Sequence, residues 1–313
     1  MKASDQLSIH YFSNLTAGGS MAVPRRFGEL YTTIFIEDIA SSVWPFAYSS
    51  SRRNVSVELK THSESAEEIV TAALKKNERS LESSLREFLS AAAGQIAECD
   101  FAVAEIVLTR DTDTNEIENV EFVWINPAQI HRRWGKVYQQ VPPEIASERS
   151  VKTRIHLPNE KIIHFLAPPR LRRAMSKARE SLSIISDFRN SSFAMTAFQT
   201  NLPFDWQIHE RAMMFALAEA GKSIGFASRG MFNKHLATPY QIRMRLLHER
   251  FLIELRQTLL ATLNDALRKI GSRMGFECEL KVNGLPTDHD IEIALNQLDS
   301  GSLSLVKLMD AYS

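Results

Sequence analysis

The chain has 313 residues, with 37 Lys and Arg against 37 Asp and Glu, 44% hydrophobic and 24% charged residues, and only 12 Gly and 11 Pro. That composition excludes wholesale disorder and low-complexity sequence, and the length allows one large core or about two domains. The net charge of zero excludes the strong basic excess of a general nucleic-acid binder.

Residues 1–60 carry Gly18-Gly19, Pro24-Arg25-Arg26 and Ser49-Ser50-Ser51 and give few signals. Leu30 to Ile39 is β-branched and aromatic enough for a strand, with a short helix as the alternative. Asn54 to Lys60 alternates Val55, Val57 and Leu59, the period of a strand. From Glu64 to about Ala97 the apolar period lengthens to three or four. Ala66, Ile69, Ala73, Leu81, Leu85, Phe88, Ala92 and Ile96 predict one long amphipathic helix, or two with a break near Asn77–Ser80. Ser63 is a suitable N-cap, with Glu67 and Glu68 following it.

A β-rich block comes next. Phe101–Thr109 and Ile117–Ile125 flank a polar tip and predict a hairpin that Asn126-Pro127 ends. Shorter strands fit Lys136–Gln140, Thr153–Leu157 and, beyond a turn at Pro158-Asn159-Glu160, Lys161–Phe165. Helices are then predicted over Leu171 to about Ala197 and Trp206 to Ala220, before a loop at 221–230. The clearest helix starts at Thr238-Pro239, a favourable cap and first position, and is expected to stop at Gly271. Its stripes Met244, Leu247, Phe251, Leu255, Leu259, Leu263 and Ile242, Leu246, Ile253, Leu260, Leu267 predict burial of a wide face. A strand over Phe276–Val282, a helix capped by Thr287-Asp288 and running to Leu298, a break at Gly301-Ser302 and a last short helix to Tyr312 complete an α+β layout with no internal repeat.

Charge is unevenly placed. Glu64 to Glu121 holds 14 acidic and 5 basic residues, a net of −9, and His131 to Arg179 holds 12 basic and 3 acidic, a net of +9. Such asymmetry marks either an interaction surface or two solvated faces that neutralise each other. Within the basic segment Arg170, Arg173 and Lys177 share a helical face and form a candidate contact for DNA or for another subunit. A solvated helix start is the competing reading, since no aromatic residues interleave among them.

Signals for chemistry are weak. Asp111, Asp113 and Asn115 open like a calcium loop, but Glu116 stands where that loop needs Gly and Phe122 where it needs Glu, so a solvated hairpin tip is the better reading. Asp288-His289-Asp290 has poor metal spacing and reads as the acidic first turn of a helix. His156 and His164 flank a turn and could approach each other, but no third ligand has a suitable spacing. Gly225 to Gly230 lacks the lysine of a phosphate loop and reads as a loop needing unusual backbone angles. No pair of residues reads as acid and base, so neither catalysis, a cofactor nor a metal is expected. The rival reading is an intracellular α+β enzyme with a site around His156, His164 and Glu105, or a helical adaptor for one protein partner. Cys99 and Cys278 form no CxxC pair, which excludes a disulfide framework and suits a reducing compartment. No apolar run of signal or membrane-spanning length occurs, so a soluble intracellular protein is expected.

The order of elements resembles the core of tailed-phage portal proteins. The resemblance is carried by the Glu-bearing strand DFAVAEIVLTRD, the segment VEFVWINPAQI, the turn and strand IHLPNEKIIHF and the helix start LRRAMSKARESL. Further along, the Pro-started helix TPYQIRMRLLHERFLIELRQTLL and the ending LDSGSLSLVKLMDAY extend it over about residues 61–313. The chain departs from the family in having Pro168-Pro169-Arg170 where a Gly-Ser element commonly stands, and in showing no clip subdomain between residues 190 and 237. The resemblance implies a portal-like α+β fold, a β-rich wing-type block flanked by long helices. Its regions would be an unassigned segment 1–60, a wing-like region 61–185, a helical and loop region 186–237, and a long helix with strand and C-terminal helices over 238–313. It also implies a non-enzymatic structural subunit of a virion, or a domesticated prophage relative, assembled in the bacterial cytoplasm. The subunit would form a homo-oligomeric ring, commonly of twelve, around double-stranded DNA, with a packaging motor, capsid and tail-connector proteins as partners and no membrane.

Overall fold

The computed structural model describes residues 30–44, 55–61, 64–74, 80–110, 117–187, 206–226 and 238–302. Their fold is α+β, a β-rich block flanked by long helices. The helices are α1 (Leu30–Ser42), α2 (Glu64–Leu74), α3 (Leu81–Cys99), α4 (Pro143–Glu148), α5 (Pro169–Asp187), α6 (Trp206–Ile224), α7 (Thr238–Met274) and α8 (Asp288–Asp299). The strands are β1 (Ser56–Thr61), β2 (Phe101–Arg110), β3 (Ile117–Ile125), β4 (Ile130–Arg133), β5 (Lys136–Gln140), β6 (Arg154–Leu157), β7 (Ile162–Leu166) and β8 (Cys278–Asn283). Among the described residues no helix is long and apolar enough to cross a membrane.

Two compact units form. The first takes its described residues from Val55–Leu166 and Thr258–Asn283, and the second takes them from Pro24–Asn54, Ala167–Gln257 and Gly284–Ser313. Helix α7 therefore belongs to the second unit through Gln257 and to the first from Thr258 onward.

In the first unit β3, β2 and β7 make one antiparallel sheet and β4, β5 and β6 another. Alternation along the strands gives the first sheet two apolar faces. One carries Phe122, Trp124 and Phe165, which gather around Phe88 of α3 with ring centroids 4.7 to 5.9 Å from it. The other carries Val103, Ile125 and Ile162, which form a core with Ile130, Val137 and Leu157 of the second sheet. Antiparallel β1 and β8 make a third, two-stranded sheet, with Leu59 opposite Leu280.

The two-helix reading of residues 64–97 is the observed one. Ser80 caps α3, its hydroxyl accepting from the Ser83 N–H at 3.3 Å. The proposed cap Ser63 and the hairpin tip 111–116 lie outside the described residues, as does the last predicted helix to Tyr312.

In the second unit the strand preferred for Leu30–Ile39 is corrected to helix α1. Tyr31, Phe35 and Ile39 are all buried at a spacing of four, whereas Thr33 and Glu37, which a strand would place on that same face, are only half-buried. Helix α5 is described from Pro169 to Asp187 and buries Leu171, Met175, Ala178 and Leu182 on one stripe; the predicted continuation to Ala197 lies outside the described residues. Helix α7 also corrects its expected end. It runs through Gly271 to Met274, and Gly275 at φ 80° supplies the left-handed residue. The Phe276 N–H then returns to the Gly271 carbonyl at 3.0 Å, a Schellman closure. A Cβ on Gly271 would lie 2.3 Å from the Phe276 carbonyl oxygen, which explains why Gly stands there. Helix α8 has the expected cap, with Thr287 and Asp290 forming a reciprocal capping box.

Candidate functional site

The basic ridge of α5 faces solvent. Its apolar stripe turns inward, so Arg170, Arg173 and Lys177 at spacings of three and four are all exposed. Two of them are neutralised by acidic side chains of the same unit. Arg170 pairs with Glu254 of α7, and Lys177 lies 3.6 Å from Glu219 of α6, which also pairs with Lys222. Those cations hold the Glu219 carboxyl below its usual range, chiefly through the Lys222 hydrogen bond. Arg173 makes no ion pair to a described residue. The acids that meet the ridge lie on α6 and α7, outside the −9 segment.

The other candidates resolve differently. His156 and His164 belong to different sheets, so the turn after β6 links two sheets and does not close a hairpin. His156 is exposed and packs edge-on against Tyr138 at 5.4 Å. His164 lies edge-on to Phe101 at 6.0 Å, its Nε2 buried with no hydrogen-bond partner among the described residues. Burial, with the Arg132 charge second, pushes His164 down to about 4, so it is neutral at pH 7. Glu105 is buried on the same sheet face, opposite Ile162 and Val123. Asp288 and Asp290 are engaged as helix-start acids: Asp288 accepts from Arg250 at 2.8 Å, and Asp290 accepts from the Thr287 N–H at 2.8 Å. Among the described residues no group of three His, Cys, Asp or Glu is placed to hold a metal.

Gly225 has the unusual backbone angle expected of its loop, φ 67°, and the reason is close approach to α7. The next residue, Phe226, stacks edge-on to Phe35 of α1 at 5.1 Å. His248 donates Nδ1–H to the Ile224 carbonyl at 3.1 Å, and burial holds its pKa below the ordinary value against the opposing pull of that bond, Glu249 and Asp38. Arg256, only 2% exposed, donates Nε–H to the Val43 carbonyl at 2.6 Å and lies 3.5 Å from Glu249. These groups tie α1, α6 and α7 together and serve packing.

The feature that sequence reading missed is the outer face of the β4–β5–β6 sheet. Ile130, Val137, Gln139 and Leu157 point into the core, so alternation turns His131, Arg133, Lys136, Tyr138, Gln140, Arg154 and His156 the other way. Register aligns His131, Tyr138 and His156 in one row across three strands. Arg154 lies over the Tyr138 ring at 4.5 Å, and Arg133 lies over the Trp134 ring at 4.5 Å. Trp134 sits at the β4–β5 turn, 88% exposed. Residues 130–133 are too short and too basic to show a strand period. The signal that was legible was the string HRRWGK, where a tight turn ending in Gly stands between basic residues.

No protein-family model matches the chain, and no curated protein sequence does. Among solved structures it is similar to an HK97-family phage portal protein from Corynebacterium diphtheriae. That match covers 88% of this chain and 99% of the other, at 10% identity and a TM-score of 0.33. The functional reading rests on the chain's own residues and their order.

Proposed function

We propose that this chain is a non-enzymatic, portal-like structural subunit that closes into a ring, of twelve copies as is common in that family. The ring would stand at a phage capsid vertex, pass double-stranded DNA and join the packaging motor, capsid and tail-connector proteins. The observation that supports this reading is order. Helix α3, the Glu105 strand β2, the hairpin to β3, the IIHF strand β7 and the basic helix α5 follow one another as the resemblance requires. Helix α7, strand β8 and the capped helix α8 follow in the second half.

A ring also needs a heterologous interface that closes on itself. The opposed charge blocks suit such head-to-tail packing, with Glu67, Glu68, Glu82 and Glu87 exposed on the acidic helices and Arg173 exposed on the basic one. The test is mass photometry and negative-stain imaging of the full chain at micromolar concentration. Closed rings are the expected result, and monomers alone overturn the reading.

A further inference from the structure

We infer that the outer face of the β4–β5–β6 sheet, with the Trp134 tip, is a binding platform for single-stranded nucleic acid. Both central residues of the two-residue β4–β5 turn have positive φ, 51° for Trp134 and 74° for Gly135, so the turn is of the mirror-image hairpin type. Asn, Asp or Gly normally fills the first of these positions. A bulky aromatic residue there bears a steric cost of roughly 1–2 kcal/mol, and here its ring packs into no core. Strain combined with exposure of a large apolar ring points to use of that ring in binding.

The surroundings name the class of ligand. Arg133, Lys136, Arg154 and the two histidines His131 and His156 share the face with Tyr138, and no Asp or Glu stands on it. None of Arg133, Lys136 and Arg154 has an ion pair to a described residue. The face therefore suits a polyanion, and aromatic rings among cations on an open sheet face are a general device for holding single strands. Bases stack on the rings while the cations meet phosphates. A duplex keeps its bases stacked inside and would engage the cations alone. The acidic helices of a second copy would likewise leave the Trp134 and Tyr138 rings unused. The inference is independent of ring formation, because it needs only one copy of the first unit.

The test uses the full chain and a fluorescent oligothymidylate of about 20 nucleotides, longer than the roughly 4–16 nucleotides that one such sheet domain covers. Binding is read by anisotropy across a salt series. Trp134→Asn relieves the backbone strain, so it is expected to leave the melting temperature unchanged or raised while weakening binding roughly tenfold. The double change Arg133→Gln with Lys136→Gln is expected to weaken binding and to reduce the salt slope by about 1.4, at about 0.7 per phosphate contact for single strands. A same-length duplex and polyglutamate are the competitors, and both are expected to bind more weakly than the oligothymidylate. The inference is overturned by absence of oligothymidylate binding, by unchanged affinity of Trp134→Asn, or by equal affinity for either competitor. Equal competition by polyglutamate would assign the face to an acidic protein surface.

Discussion

Asn264 of α7 and Leu280 of β8 exchange two hydrogen bonds: the Asn264 Nδ2 donates to the Leu280 carbonyl at 2.9 Å, and the Leu280 N–H donates to Oδ1 at 2.8 Å. One side-chain amide thus does for Leu280 what a neighbouring strand would do. Strand β8 pairs with β1 along one edge, so helix α7 satisfies the other edge at the buried residue Leu280. Asn264→Ala leaves both Leu280 groups unsatisfied and is expected to cost about 2–6 kcal/mol, at roughly 1–3 per orphaned group. Asn264→Asp keeps the acceptor and loses the donor, so it should fall between wild type and Ala. Urea midpoints at constant slope measure the order, and an Asp variant no better than Ala would refute the two-bond account.

Gly225 and Gly135 make a matched pair of left-handed glycines with opposite surroundings. A Cβ on Gly225 would sit 2.1 Å from the Met244 carbonyl oxygen and 2.4 Å from the His248 nitrogen, both backbone atoms of α7. A Cβ on Gly135 meets nothing within 4 Å. Gly135→Ala therefore bears only the backbone penalty, about 1 kcal/mol. Gly225→Ala must also part α6 from α7 and is expected to cost upwards of about 3 kcal/mol. Thermal melts of the two variants should differ by several degrees, and equal losses would show that the approach of Gly225 to α7 is not tight.

Most elements were legible because their signals are local. Thr287 with Asp290, the period of α3 and the alternation of β2 and β3 each need only a short window. Two kinds of information were not. Whether Leu30–Ile39 folds as helix or strand depends on where Tyr31, Phe35 and Ile39 find partners, and one of those is Phe226, far away in sequence. The pairing of strands is also non-local: His156 and His164 are eight residues apart, yet β6 pairs with β5 and β7 with β2. The basic ridge of α5 was visible as a face, but its partners Glu254 and Glu219 come from other helices. The platform around Tyr138 was hidden for the same reason, since His131, Tyr138 and His156 align only through register.

Arg256 tests whether a buried charge in the second unit is structural. Its Nε–H satisfies the Val43 carbonyl, so truncation removes a donor from a buried carbonyl and leaves Glu249 without its cation. Arg256→Ala is expected to cost about 3–5 kcal/mol. Arg256→Met refills the volume without the charge and should recover part of that loss. Chemical denaturation of the two variants gives the comparison. A methionine variant as unstable as alanine would mean that the charge itself, and not the filled space, dominates.

His164 sets a pH dependence whose direction follows from its surroundings. Its folded pKa is about 4 against an ordinary 6.5, because burial and the Arg132 guanidinium both disfavour the cation. Between those two values the unfolded chain binds a proton that the folded chain refuses, so stability rises with pH across that window. The contribution is complete above about pH 6.5, declines as pH falls toward 4 and is then constant, for a total on the order of 3 kcal/mol. His248 is shifted the same way by burial and adds to the decline. His164→Gln removes one titrating group and should flatten the slope of unfolding free energy against pH between 6.5 and 4. A purely structural loss would instead lower stability by the same amount at every pH. Arg132→Gln removes the nearby cation, so the decline should begin to level off at a higher pH. Urea titrations in steps of about half a pH unit resolve the slope, and an unchanged slope in the glutamine variant would place the acid sensitivity elsewhere.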